Sequence, residues 1–385
     1  MKNFLIGTII AAALLAFALS GTEISAQTSL ADRYRGGRIA FRVDEDWTSN
    51  LPSDQVFERR GDIAVASDGS VFVSNTTRHT VFKFDASGNF VKVIGRPGQG
   101  PGDLTNPGRL SILDDKYLIV GELATSRRVS VFDLDGTFVK VVATGRYTSK
   151  PVALGNGKIA FVSVGGRMGQ DEMINVEEVF VLDWRSGAQK PIAKHEIRTP
   201  MRRMPSGNLE MAQPGGVVIA PAGDVGLVVG TTLSSRLDVF SPDGTRVRTI
   251  DTGWKAIPVT SEYREKYKNF IRRQVEAEGR KPVKSEPFLP EALPVLLDVW
   301  ADADGNILAC RKTECLEDCT LEIRAYSPQG EFLADFTIDS DDAVLAADHR
   351  FRRIVLTGRG FYGLVELRND PDRYLHLARS VFPPR

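Results

Sequence analysis

One short turn recurs along the chain. In Phe84-Asp85-Ala86-Ser87-Gly88-Asn89-Phe90 an alternating run ends in an aromatic and an aspartate, turns at Ser-Gly, and resumes alternation. This is a hairpin: alternation marks half-buried strands, and glycine accepts the left-handed backbone that closes the loop. The pattern returns as Phe132-Asp133-Leu134-Asp135-Gly136-Thr137-Phe138, as Phe240-Ser241-Pro242-Asp243-Gly244, and as Tyr326-Ser327-Pro328-Gln329-Gly330-Glu331-Phe332. Leu182-Asp183-Trp184-Arg185-Ser186-Gly187 is a weaker copy. A unit repeated through a whole chain restricts it to repeat architectures.

A second class of turn alternates with the first. It falls at Ser67-Asp68-Gly69, Asp114-Asp115-Lys116, Gly155-Asn156-Gly157, Ala222-Gly223-Asp224, Asp304-Gly305-Asn306 and Asp348-His349-Arg350. Each is followed by one turn of the first class: Gly69 to Gly88 is 19 residues, and Lys116 to Gly136 and Asp224 to Gly244 are 20 each. In the last unit the second turn, Asn369-Asp370-Pro371-Asp372, has no glycine. The unit is strand, tight turn, strand, loop, strand, tight turn, strand. Six such units predict an all-β fold, a six-bladed β-propeller of four-stranded antiparallel blades. A lone blade cannot cover both its faces, whereas a closed ring of blades covers all of them. The strand Arg38 to Val43 is the expected clasp, added to the last blade, which ends at Tyr374-Leu375-His376-Leu377-Ala378.

The first residues are of another kind. Lys2 precedes an apolar run of 16 residues, Phe4 to Leu19, and a small polar region reaches Ala26. This is the pattern of a signal peptide over 1–26. The run is shorter than the roughly 20 residues of a membrane span. Residues 27–385 then form one exported propeller domain, periplasmic or extracellular, with no later membrane span. Lys plus Arg equals Asp plus Glu at 49 each, so no basic excess points to nucleic acid.

One segment breaks the repeat. Between blades four and five, about 259–280, Thr260 or Ser261 can cap a helix that stops at Gly279. Tyr263, Tyr267, Phe270, Ile271, Gln274 and Val275 share one of its faces. It reads either as a plug in an irregular blade junction or as a lid over the central opening.

Several stretches resemble NHL-repeat propellers. Gly95-Arg96-Pro97-Gly98-Gln99-Gly100-Pro101-Gly102-Asp103-Leu104-Thr105-Asn106-Pro107 is similar to their linker between blades, and Arg128-Val129-Ser130-Val131-Phe132-Asp133 to their Arg-Val-x-x-Phe-Asp strand. The resemblance extends to exported bacterial six-bladed propellers from about Arg38 to Ala378. It implies a fold and leaves the activity open, because propellers serve as binding proteins, scaffolds and enzymes.

Function is therefore sought on the face opposite the tight turns, where the long loops lie. Arg78, His79, Arg109, Arg128, Arg146, Arg236 and Arg359 all belong to it, as do Arg127, Arg202 and Arg203. They are candidates to hold a carboxylate or phosphate; the other reading is a mixed rim of salt bridges. Asp62 and Asp298, with Arg109, fall where the first strand of a blade enters the channel. Calcium is possible there, but two aspartates are a thin ligand set. Propeller lactonases carry such a calcium site, and their ligand set has no clear match here. The three cysteines, Cys310, Cys315 and Cys319, admit a Cys310–Cys319 or Cys315–Cys319 disulfide, a zinc site or free thiols. The expectation is a binding or interaction module that recognises an unidentified protein or small anionic ligand through its loop face. The alternative is a propeller hydrolase or lactonase with a metal in its channel.

Overall fold

The computed structural model describes residues 29–381 apart from 48, 58–60, 123–126, 205–206, 213–214, 224–225, 278–285, 287, 313–315, 317–319, 342, 345–353, 359 and 368–374. The 1–26 leader lies outside the described residues, as do Cys315, Cys319 and Arg359.

Among the described residues the chain forms successive antiparallel sheets in a β-propeller arrangement. The first holds Ile63–Val65, Val71–Asn75, Thr80–Phe84 and Phe90–Ile94. The second holds Pro107–Leu113, Tyr117–Glu122, Arg128–Asp133 and Phe138–Ala143. The third holds Thr148–Gly155, Lys158–Met168, Glu172–Asp183, Gln189–Arg203 and the short Leu209–Met211. The fourth holds Val217–Ala222, Gly226–Thr231, Arg236–Phe240 and Arg246–Asp251. The fifth holds Asp298–Ala301, Ile307–Lys312, Leu321–Tyr326 and Phe332–Asp339. In the sixth, Ala343–Val344 and Ile354–Thr357 both pair with Gly360–Leu367, which pairs with Leu375–Val381.

The recurring turn explains the last hairpin of the sheets that carry it. Asp85 N–H donates to Asn89 C=O and Gly88 N–H to Asp85 C=O, both at 3.0 Å, and the Asp133, Ser241 and Ser327 turns repeat this pair of bonds. The glycine takes a left-handed φ of 86° at Gly88 and 83° at Gly136. The extra residue appears as a bulge at the same place in each copy, as between Lys83 and Phe84 and between Val131 and Phe132. The aromatics on either side meet edge to face, with ring centroids 6.0 Å apart for Phe84–Phe90, 5.9 Å for Phe132–Phe138 and 6.1 Å for Tyr326–Phe332.

Strand alternation divides each sheet's side chains between two neighbours. Phe72 points into a cluster shared with Leu110, Leu118 and Val120 of the second sheet, while Val71 and Val73 point the other way, to Tyr362 and Leu364 of the sixth. Equivalent clusters join the second sheet to the third, the third to the fourth, the fourth to the fifth and the fifth to the sixth.

The clasp differs from expectation. Arg38–Ala40 does not extend the last sheet; it pairs in parallel with Phe332–Asp339, the outer strand of the fifth, with Arg38 opposite Thr337. The reason lies just upstream. Helix α1 (Leu30–Tyr34) seats Tyr34, fully buried, flat against Phe336 at 4.5 Å, and its hydroxyl donates to Asp302 Oδ2 at 2.6 Å. The strap then crosses the sixth sheet, where Asp44 pairs with Arg379 at 2.6 Å. It reaches the first sheet at Trp47, whose indole N–H donates to Ala86 C=O at 2.9 Å. Among the described residues the sixth sheet takes no N-terminal strand, and the strap meets its last strand through Asp44 N–H, which donates to Arg379 C=O at 2.7 Å.

Helix α2 (Ser261–Ala277) follows the fourth sheet and precedes the fifth. Thr260 caps it, its Oγ1 accepting from Tyr263 N–H at 3.1 Å. Tyr263 packs with Val259 and Leu289, and against them lies Leu316 of the cysteine-bearing loop. No helix among the described residues is long and apolar enough to cross a membrane.

Candidate functional site

The residues expected at the channel mouth are buried and engaged. Asp62, Arg109 and Asp298 are 0%, 3% and 3% exposed. Arg109, on the second sheet, reaches Asp298 of the fifth, with Nη2 to Oδ2 at 3.8 Å. Asp298 also accepts from Val299 N–H at 2.9 Å and from the Trp300 indole at 3.3 Å. Asp62 Oδ2 accepts from Leu110 N–H at 2.7 Å, tying the first sheet to the second. Two residues outside the expected set join them. Lys150, with a left-handed φ of 53°, donates its ammonium to Val217 C=O, and Glu177 Oε2 accepts from Val217 N–H at 2.8 Å. These charges join neighbouring or facing sheets. Among the described residues, no three or more His, Cys, Asp or Glu side chains converge as metal ligands.

Cys310 lies opposite Asp298 in the ladder, and its side chain belongs to the core between the fifth and sixth sheets. It is a free, fully buried thiol, and burial pushes its pKa up, with Asp298 adding to the effect. The staple expected from Cys310 to Cys319 is therefore not made at Cys310, which faces the core.

The loop-face arginines divide into two groups. Arg128 is taken up by the fold: its Nε donates to the fully buried Glu122 at 3.0 Å, and its Nη atoms donate to Gln99 and Asp103 carbonyls of the glycine-rich linker at 2.8 and 3.1 Å. Arg78 donates to Asp54 C=O at 3.0 Å. His79 supplies the left-handed turn position, φ 59°, after Asn75 accepts from Arg78 N–H. Arg236 is exposed, opposite Asp251 in its hairpin. Arg202 holds Glu210 at 2.6 Å and lies 4.9 Å from the Phe288 ring, fastening the segment after α2 to the third sheet.

Arg127 and Arg146 form the second group. Each guanidinium lies over an aromatic ring, Arg127 over Tyr147 at 4.9 Å and Arg146 over Phe180 at 4.0 Å. They line a pocket of about 360 Å³ with Ser163, Gly165, Val176 and Glu178. Glu178 is paired with Lys194 at 3.1 Å. Among the described residues neither arginine has a carboxylate within salt-bridge distance. Cation–π contact orients a guanidinium without neutralising it, so the pocket presents two positioned, fork-shaped donors. Sequence reasoning placed both arginines on this face, but nothing local announces their rings: Phe180 lies 34 positions beyond Arg146.

A family model described as a 6-bladed beta-propeller matches residues 54–140. No curated protein matches the chain. Among solved structures, a duf4221-family member from Bacteroides vulgatus is 11% identical with a TM-score of 0.49, covering 90% of this chain and 99% of that one. A Bacteroides fragilis protein provisionally assigned as exported is 12% identical, TM-score 0.42, covering 78% and 79%. A luciferin-regenerating enzyme is 10% identical, TM-score 0.40, covering 90% and 96%.

Proposed function

We propose that the chain is an exported six-bladed β-propeller, NHL-repeat-like, that works as a binding module and takes an anionic ligand at the Arg127–Arg146 pocket. The six-bladed ring is supported by the core clusters that join each sheet to the next and the sixth to the first. Export is supported by the apolar run before Ala26; mass spectrometry of the mature N-terminus tests it, and a retained Met1 would refute it.

The pocket carries the functional reading. Arg78, Arg109, Arg128 and Arg202 are held by the protein's own carbonyls and carboxylates, whereas these two are held by rings and keep their donors for a ligand. A carboxylate or phosphate matches that fork. The hydrolase reading has weaker support, because Asp62 and Asp298 are committed to Leu110 N–H and to Arg109.

Thermal unfolding with succinate, citrate and phosphate tests this. A native-state ligand stabilises by about 2.7 kcal/mol at a hundred times its Kd. The wild type should show an anion-dependent rise in Tm that Arg127→Gln with Arg146→Gln abolishes. An equal rise in that double variant would refute the assignment.

A further inference from the structure

The third sheet, which lines this pocket with Ser163, Val164 and Gly165, also has an open edge that begins there. Lys158–Met168 pairs with Glu172–Asp183 as far as Met168 opposite Met173. On its other side the ladder with Thr148–Gly155 stops at Thr148 opposite Ser163. A last backbone bond, from Val164 N–H to Tyr147 C=O at 3.2 Å, closes that side. Among the described residues, no strand pairs with Gly165–Met168 there. In an antiparallel ladder, backbone polar groups alternate between the two neighbours. Since Val164 N–H faces Tyr147, the N–H and C=O groups of Gly166 and Met168 face the open side.

Exposed edges are usually blunted by proline, lysine or a bulge. This one has two consecutive glycines. Gly166 has a local cause, because a Cβ there would lie 2.9 Å from Ile174 O. Gly165 has none: its Cβ would meet nothing nearer than Val176 O at 3.9 Å. Glycine weakens a strand interior, where it often marks a bulge, a tight bend or a place that a ligand or another backbone approaches closely.

Polarity joins the edge to the pocket. A strand added antiparallel to Lys158–Met168 would run in line with Thr148–Gly155 and end where the chain turns aside at Tyr147. That end is the Arg127–Arg146 pocket, lined by Ser163, Val164 and Gly165. We infer that edge and pocket together bind the C-terminal segment of an extended peptide. Its backbone adds to Gly166 and Met168, and its terminal carboxylate sits between Arg127 and Arg146. Strand addition supplies affinity and the carboxylate fixes register. This rests on the anion reading above.

The test is affinity selection on the full mature chain from degenerate hexapeptides with free C-termini, against the same pool amidated. Selected peptides are then titrated by fluorescence polarisation. Free-carboxylate peptides should be enriched and should lose about tenfold or more in affinity on amidation, the scale of a lost charged hydrogen bond. Met168→Pro removes a donor on the open side only, and Gly165→Ala adds a Cβ with nothing nearer than Val176 O at 3.9 Å to a residue of the pocket wall; both should weaken peptide binding while leaving succinate binding with Met168→Pro unchanged. Circular dichroism and Tm establish that each variant is folded. No enrichment over the amidated pool, or full affinity in Met168→Pro, overturns strand addition. If succinate responds through Arg146 while peptides bind no more tightly than succinate, the anion reading stands and the peptide fails. If neither responds, both fail.

Discussion

Removing one oxygen, Tyr34→Phe, isolates the bond that seats the N-terminal strap. The ring is fully buried and stacked on Phe336 with a 5° interplanar angle, so phenylalanine keeps the packing. What goes is the donor to Asp302 Oδ2 at 2.6 Å. That oxygen keeps Asn306 Nδ2 at 2.8 Å, while Oδ1 keeps the Asp304 and Asn306 N–H groups at 2.9 and 2.8 Å. A hydrogen bond to a buried charge contributes about 1.5–3 kcal/mol, and that is the expected loss near neutral pH. The deficit has a pH signature. Burial raises the Asp302 pKa and outweighs the bonds from Tyr34 and Asn306 that lower it. A carboxyl raised on folding favours the native state most below its unfolded value of about 3.9, and that advantage is lost as pH rises through the folded value. Without Tyr34's hydroxyl the folded value rises further, so the loss continues to higher pH. The variant's deficit should therefore be smallest in acid, about 1 kcal/mol for a neutral pair, and grow toward neutrality. Urea unfolding from pH 3.5 to 7.5 measures it. A deficit under about 0.5 kcal/mol at pH 7, the scale of an ordinary surface change, or one that shrinks as pH rises, refutes the reasoning.

Asp298→Ala leaves a guanidinium that is 3% exposed without its facing carboxylate, and should cost about 3–5 kcal/mol in chemical unfolding. Arg109→Met with Asp298→Leu should cost less than the two single changes summed, and simple additivity would show that the pair is not coupled. Arg128→Ala should expose the linker to limited proteolysis near Gln99 and Asp103, whose carbonyls it holds; unchanged cleavage there would count against the clamp. With Cys315→Ser and Cys319→Ser in place, Cys310 should resist a thiol reagent at pH 8 until the protein unfolds, and rapid native labelling would show that it is not core. Thermal unfolding with excess calcium and with chelator should give the same Tm, and a drop in chelator that calcium reverses would restore the metal-site alternative.

The local part of the fold was legible because its signals are local. In three of the turns the aromatic before and the one after meet across the hairpin they bracket, and the glycine between them is demanded by backbone angle. Asp62, Arg109 and Asp298 stood out because each lies at or near the start of a sheet's first strand, and all three are buried. Their partners were not legible, since Arg109 and Asp298 are 189 positions apart. The strap was misplaced because outer strands present similar edges, and Tyr34 meeting Asp302 and Phe336 decides between them. Arg128 looked like a surface cation beside a loop; the buried Glu122 six residues earlier claims it.

The strap also orders events in time. Leu30 donates to Asp304 across 274 positions and Arg42 to Ser380 across 338, so the first described residues bond to some of the last. A chain emerging from its amino end can assemble the first sheets from neighbours already present, but the strap has nowhere to dock until almost the whole polypeptide has appeared. Docking of the strap therefore waits for the fifth and sixth sheets, and a product truncated before them would leave Leu30, Tyr34 and Arg42 without Asp304, Asp302 and Ser380.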